Sequence, residues 1–486
     1  MRLDIPEPIL GILHEIGEVA GTSSYLVGGF VRDLLLKRPS LDTDIVVEGD
    51  AIGVAKSMCE RWNGTLEVHA QFGTATVTPE NTDLPKVDFV TARRETYQGS
   101  GTLPIVQSGN ISDDLRRRDF SINALAMRLD QTAFGTIVDE IGGLADLEAG
   151  IVRVLHNRSF IDDPTRIFRA CRYAGRYGFQ IAENDETLIR EALPVLAQLS
   201  GERIRNEIDR VLLEKNTPEI VDQLTELDVW ETICPRWKIS SDFTSDYRST
   251  QRAIAWASEH LADEEFEHEL VRWMAFLGTE MPLYQIEALS FRLILKHQLQ
   301  RLVSPAQAEN QQVSLEKVPH AAFEKLGYPL SENAVIEHYN GKWCIVDADV
   351  STDNGTTYVC GEKSLFRVET PLTAHKQLIE MLTQLKASVK PSEIYRLFKP
   401  YPIEALVLAS EGTTVAEWKR EKIKDYLLVL RKAQPLITGK DLIAFGEKPG
   451  ATFKTQLWQL FAAQLDGEIS KKEEVYSLLR KINNNG

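Results

Sequence analysis

Residues 26–44 read Leu26-Val27-Gly28-Gly29-Phe30-Val31-Arg32-Asp33-Leu34-Leu35-Leu36-Lys37-Arg38-Pro39-Ser40-Leu41-Asp42-Thr43-Asp44. The apolar run Tyr25–Val27 predicts a buried strand that breaks on the paired glycines, and Val31–Leu36 restarts as a short amphipathic helix. A second apolar run, Ile45–Val47, follows Asp42-Thr43-Asp44. Residues two apart along a strand share a face, so Asp42 and Asp44 direct both carboxylates at one point where the second strand begins. Paired hard oxygen ligands suit Mg²⁺, which takes one or two carboxylates and completes its shell with water and phosphate. The glycine turn lets backbone N–H groups approach a phosphate, and Arg32 adds charge. Separately, Gly-Gly and Asp-x-Asp are common at strand ends. In this order and spacing they are the minimum equipment for metal-assisted nucleotidyl transfer.

LVGGFVRDLLL followed by DTD resembles the first motif of the class II tRNA nucleotidyltransferase and bacterial poly(A) polymerase superfamily. The resemblance implies a DNA polymerase β-like α+β head, a mixed sheet with helices, followed by a mostly α-helical neck, body and tail.

Composition bounds the alternatives. A chain of 486 residues predicts two to four domains, and 43% hydrophobic with 26% charged residues is ordinary for a soluble protein. No stretch approaches 18 uninterrupted apolar residues, and the N-terminus lacks the basic and apolar segments of a signal peptide. Five scattered cysteines without CxxC spacing point to a reducing cytoplasm and away from a zinc site. The net charge of −16 is unevenly spread. Residues 1–150 carry 13 basic against 23 acidic side chains, 151–215 carry 11 against 10, 216–370 carry 13 against 25, and 371–486 carry 18 against 13. The acidic head suits metal chemistry, and the basic tail is where a phosphate backbone is expected to meet the chain.

Along the chain, strands are expected at Ser24–Val27, Ile45–Glu48, Gly64–Val68, Thr74–Thr78, Lys86–Thr91 and Gly135–Asp139. Helices are expected at Pro6–Ala20, Gly29–Leu36, Asp50–Trp62 and Ser121–Met127, with a mobile loop over 94–113. This divides the chain into a catalytic head (1–148), a helical neck (149–215), a helical body (216–370) with a β-hairpin near 341–368, and a helical tail (371–486). Tail helices are expected at Lys376–Leu385, Ser392–Leu397, Thr414–Ala433 and Thr455–Leu465.

Three further stretches carry chemistry. Asp88, in Lys86–Thr91, is a candidate third metal carboxylate if its strand lies beside that of Asp44. The segment Asp113-Asp114-Leu115-Arg116-Arg117-Arg118-Asp119-Phe120-Ser121-Ile122-Asn123-Ala124 is similar to the superfamily's RRDFTINA motif, with Ser121 in place of Thr. The resemblance implies that Arg118 contacts the nucleotide while Asp119 and Asn123 bind or orient its ribose. In Asp162-Asp163-Pro164-Thr165-Arg166, Pro164 fits a first helical turn with Asp162 or Asp163 as cap. Asp163 and Arg166 lie side by side at i,i+3. An acceptor next to a donor matches the pairing edges of C and A and mismatches G and U. Leaving buried polar groups unpaired costs about 1–3 kcal/mol each. The segment resembles the superfamily's EDxxR motif, with Asp162 in place of Glu. Arg169, Arg172 and Arg176 continue the helix and call for an anionic partner.

Asp139–Arg153 matches the superfamily's link from head to neck, and Ser200–Glu207 is similar to a further motif, read as scaffold. Ile437–Leu442 resembles a tail stretch, with Lys419, Arg420, Lys422, Lys424, Arg431 and Lys432 placed for an RNA elbow. Glu67–Thr74 follows the pattern of tRNA-maturing members, and no His-Asp dipeptide occurs. The expected activity is template-independent addition of C and/or A to a tRNA 3′ end from CTP and ATP. Mg²⁺ would sit on Asp42 and Asp44, with Gly28, Gly29, Arg32, Arg118, Asp119, Asn123, Asp163, Arg166, Arg169 and Arg172 around the nucleotide. The expected partners are the tRNA acceptor stem and elbow, with no membrane and no zinc. The alternatives are a CC-adding or A-adding specialist, a poly(A) polymerase, and an inactive RNA-binding protein on the same fold.

Overall fold

Strand β1 (Ser24–Val27) pairs antiparallel with β2 (Thr43–Val47), and between them Gly28 opens helix α2 (Gly29–Leu35). The computed structural model describes residues 5–39, 43–96, 105–235, 237–262, 266–278, 289, 292–293, 335–339, 342–346, 357–361, 371–446 and 453–484. Asp42 lies outside the described residues, as do 347–356 within the expected hairpin.

The chain divides into two compact units, Met1–Arg236 and Trp237–Gly486. The first is built on a seven-stranded mixed sheet. Besides β1 and β2 it contains β3 (Thr65–His69), β4 (Thr74–Thr78), β5 (Val87–Thr91), β8 (Ala126–Arg128) and β9 (Ile137–Val138), in the order β3-β4-β5-β2-β1-β8-β9. β2 and β5 run parallel in the centre; the other pairs are antiparallel. Alternation sorts the strand residues onto two faces. α1 (Glu7–Ala20) and α3 (Ala51–Arg61) pack against the sheet, burying Leu13, Ile16, Ala55 and Met58. Asp50 caps α3 by accepting from the Gly53 N–H at 2.8 Å. Tyr25, Val27, Val46, Ala92, Leu115 and Ala126 form a second apolar cluster.

Two expectations for the head are corrected. Ser121–Met127 is not a helix: a single 3₁₀ turn spans Ser121–Asn123, and Ala126 and Met127 enter β8 opposite Val27 and Leu26. A place in the sheet outweighs the local reading of this stretch as helix. Nor is 94–113 one loop. β6 (Arg93–Thr96) and β7 (Ile105–Ser108) form a hairpin, and α4 (Ile111–Arg116) starts at a capping box in which the Asn110 side chain accepts from the Asp113 N–H.

Past α5 (Gly143–Ala149), β10 (Ile151–Val152) pairs parallel with β11 (Gln180–Ile181). The rest of this unit is helical: α6 (Ser159–Asp162), α7 (Thr165–Tyr177), α8 (Glu183–Gln198), α9 (Gly201–Leu212), α10 (Thr217–Glu226) and α11 (Val229–Ile233). α7 buries Ile167, Phe168, Ala170, Cys171 and Ala174 against α9 and α10.

The second unit is mainly helical. Its hairpin is a three-stranded antiparallel sheet of Val335–Tyr339, Lys342–Val346 and Thr357–Gly361. The tail helices run Pro371–Gln384, Pro391–Phe398, Ile403–Ala409, Glu417–Leu428, Gly439–Ala444, Phe453–Leu465 and Lys472–Asn484. Of the cations expected on RNA, Lys419, Arg420 and Lys424 are engaged inside this unit. Lys419 donates to the Leu382 and Thr383 carbonyls, while Arg420 and Lys424 pair with Glu411. No helix among the described residues is long and apolar enough to cross a membrane.

Candidate nucleotide site

The glycine turn is fixed by a backbone that only glycine adopts easily. Gly28 has φ 67° and ψ −128°, and its N–H donates to the Leu125 carbonyl at 3.1 Å. A Cβ on Gly28 would come within 2.5 Å of Arg118 Nη1, so the turn and the Arg118 guanidinium occupy adjoining space. Gly29 begins α2, and a Cβ there would lie 3.4 Å from Arg32 Nη2.

Arg32, expected to face phosphate, is buried and fully occupied. It donates to Asn123 Oδ1 at 2.5 Å and to both oxygens of Asp33 at 2.9 and 3.0 Å, and lies 4.7 and 5.2 Å from the ring centroids of Tyr177 and Tyr173. Burial works against its charge, but Asp33 and the two phenols hold it above the ordinary guanidinium range. Asp33 also accepts from Tyr177 OH at 2.9 Å. Burial pushes that phenol up to about 12.

Asp119 and Asn123 sit between this turn and α7. Asp119 Oδ1 accepts from the Asn123 amide at 3.0 Å and the Phe120 N–H at 2.9 Å, and its Oδ2 accepts from Arg169 Nε at 2.7 Å. Burial alone would neutralise Asp119; Arg169 and the Asn123 amide nevertheless hold it below the usual carboxylate range. One continuous chain of charged hydrogen bonds therefore runs Arg169–Asp119–Asn123–Arg32–Asp33–Tyr177, from α7 to α2 and back.

The second group lies at the start of α7. Pro164, not an aspartate, occupies the cap position, and Asp163 ends α6 in extended conformation. Asp163 Oδ1 accepts from the Thr165 N–H at 3.2 Å, from Thr165 Oγ1 at 2.7 Å and from Arg203 of α9 at 2.8 Å. Arg166 donates to Ser159 Oγ and, at 3.3 Å, to the Arg117 carbonyl. The two side chains lie one turn apart and are each held by other partners, so neither consumes the other.

Further along α7, Arg169 and Arg176 find their anions within the chain, Asp119 and Glu214. Among the described residues Arg172 has Glu207 as its anion, at 4.0 Å, and its Nε is buried without a hydrogen-bond partner. Burial, with Arg169 and Arg176 nearby, pulls its pKa down. All three guanidiniums and that of Arg32 lie 5.2–5.9 Å from the Tyr173 ring.

Asp44 is half-buried on β2 and is the register partner of Asp88 on parallel β5. In-register residues of paired strands share a face, so the two carboxylates stand side by side. Asp88 is exposed and accepts from Thr76 Oγ1 of β4 at 2.5 Å. Asp42, directly before β2, is outside the described residues. Among the described residues no cluster of three or more His, Cys, Asp or Glu side chains is gathered for a metal.

Sequence reasoning missed Asp33, Asp114, Tyr173, Tyr177 and Arg203. Asp33 and Asp114 had a signal, each being an acid beside a site arginine; Arg203 had none local to Asp163, forty residues away.

A family model described as the poly A polymerase head domain matches residues 24–153, and one described as the probable RNA and SrmB-binding site of polymerase A matches 178–239. An A-adding tRNA nucleotidyltransferase of Halalkalibacterium halodurans is 30% identical over 98% of this chain and 93% of its own length. The chain belongs to the tRNA nucleotidyltransferase family. Another A-adding member, from Geobacter sulfurreducens, is 30% identical over 98% of this chain, which spans 47% of that longer protein. The solved Thermotoga maritima CCA-adding enzyme complexed with tRNA superposes with a TM-score of 0.66 at 26% identity, covering 98% of this chain and 96% of that one. The family's α+β head and helical C-terminal part are those described above, and its members are enzymes that extend tRNA.

Proposed function

We propose that this chain transfers C and/or A residues from CTP and ATP to the 3′ end of tRNA without a nucleic-acid template, in the cytoplasm. The observation that carries the reading is the charged chain from Arg169 through Asp119 and Asn123 to Arg32. It ties a ribose-type hydrogen-bonding pair to the glycine turn on one side and to α7 on the other. Asp42 and Asp44 are the hard oxygen ligands proposed for Mg²⁺, with Asp88, in register with Asp44 on the parallel strand, as the third candidate. When bound there, the ion supplies activation of the attacking 3′-hydroxyl and stabilisation of the departing pyrophosphate.

The residues of the chain do the rest. The turn at Gly28 and Gly29, with Arg118 pressed against it, holds triphosphate. Asp119 and Asn123 orient the ribose, and Asp163 and Arg166 read the base edge, donor against acceptor. Arg169 and Arg172 supply positive charge beside them. The full-length likeness to A-adding relatives favours ATP as the preferred substrate. Incubation with tRNA lacking its 3′ nucleotides, and with labelled CTP alone, ATP alone or both, tests this. Incorporation of A onto tRNA ending in CC, well above that of C from CTP, is expected. Label from neither nucleotide would refute the reading.

A further inference from the structure

Asp114 belongs to none of the roles above, yet it is completely buried and carries two guanidiniums. Its Oδ1 accepts from Arg117 Nε at 2.9 Å and Nη2 at 2.6 Å, and its Oδ2 from Arg118 Nη2 at 3.0 Å. Arg118 is the cation in the space beside Gly28, and its other terminal nitrogen reaches the Asn123 carbonyl at only 3.4 Å. Its Nε is buried with no partner at all. Among the described residues Asp114 is thus the carboxylate that aims Arg118 at the glycine turn. Arg117 is tied outward as well, to Glu95 on β6 at 3.2 Å, and its carbonyl accepts from Arg166 on α7.

A buried carboxylate with both oxygens used by separate guanidiniums is stable because each charge is paired and hydrogen-bonded. Its neutral amide analogue keeps the shape but has one NH₂ facing a guanidinium, so at least one of the two arginines must turn away. Arg118, held by a single good bond, is the weaker of the two. We propose that Asp114 is a positioning residue for nucleotide binding, acting through Arg118 on the triphosphate and leaving base choice untouched. This rests on the functional reading above.

The test is Asp114→Asn, assayed on CC-ended tRNA with ATP and, in parallel, CTP. The KM for nucleotide is expected to rise roughly tenfold or more, as for loss of a charged hydrogen bond. kcat should change far less, and the ATP:CTP preference should not move. Because the effect runs through Arg118, adding Asp114→Asn to Arg118→Ala should leave KM where Arg118→Ala alone puts it. An unchanged KM in Asp114→Asn, or penalties that add in the double variant, would overturn the proposal. Should Asp114→Asn not fold, Asp114→Asn/Arg117→Gln removes the second guanidinium that the amide would face, and the same KM rise is expected against Arg117→Gln alone. A wild-type chain that incorporates no nucleotide refutes the functional reading instead; ATP affinity of the same variants by calorimetry then decides the role of Asp114.

Discussion

In the proposed function the β2–β5 edge and the α7 helix would meet the nucleotide by opposite means. At the edge, Asp44 and Asp88 are set by backbone register: two parallel strands place them side by side. On α7 nearly every functional side chain is set by another side chain, Asp163 by Arg203, Arg169 by Asp119, and Arg166 by Ser159 and the Arg117 carbonyl. At the edge, the position of a carboxylate follows from the strand that carries it. A site that must discriminate between bases cannot leave its donors and acceptors loose, since a floppy Arg166 would adapt to G or U as readily as to A or C. Rigidity is placed where selection happens.

Three substitutions sharpen or break this contrast. Asp44→Asn should lower incorporation on the order of a thousandfold while the melting temperature and ATP binding hold, because its loss removes metal chemistry and little packing. Retained activity at saturating Mg²⁺ would separate the edge from the reaction. Gly28→Ala should cost roughly 1–3 kcal/mol of stability from its backbone conformation alone and raise the nucleotide KM, as the added carbon meets Arg118. Paired denaturation and kinetic measurements check both halves. Arg166→Ala should narrow the ATP:GTP ratio of kcat/KM roughly tenfold with a smaller change in Mg²⁺ requirement; competition assays with both nucleotides read this directly, and an unmoved ratio would leave base selection elsewhere.

The smallest effect concerns His156. Burial, then the Arg166 cation, hold its imidazole below the ordinary value of 6.5. A folded value below the unfolded one means that its contribution to stability is intact above 6.5 and is lost as pH falls beneath it. Arg166→Ala should therefore move the His156 titration upward in NMR and flatten that acid-side loss. An unmoved titration would show that Arg166 does not sit against the α6–α7 turn as described.

How far the sequence disclosed these two regions follows from the same contrast. Strands Ser24–Val27 and Thr74–Thr78 match their expected bounds because glycines or turn residues flank them. The site at the glycine turn was legible because its residues are consecutive and its glycines have one physical use. The partnership of Asp44 and Asp88 required a conditional, since parallel pairing joins strands that are not neighbours in the chain. β8 was hidden because only three residues, Ala126–Arg128, enter the sheet, close behind a 3₁₀ turn. The partners on α7 were least legible of all: Arg203 for Asp163 and Glu207 for Arg172 come from α9, and no local pattern announces them.

The in-register meeting of Asp44 and Asp88 also dictates where this gene can gain or lose codons. Residues 79–86 join β4 to β5 over the surface, so one residue more or fewer there leaves the strands aligned. A single insertion inside β5 ahead of Asp88 would turn that carboxylate to the opposite face of the sheet while the apolar Val87 or Phe89 took its place. Length variation among descendants of this chain should therefore collect between the two strands and be purged within the second.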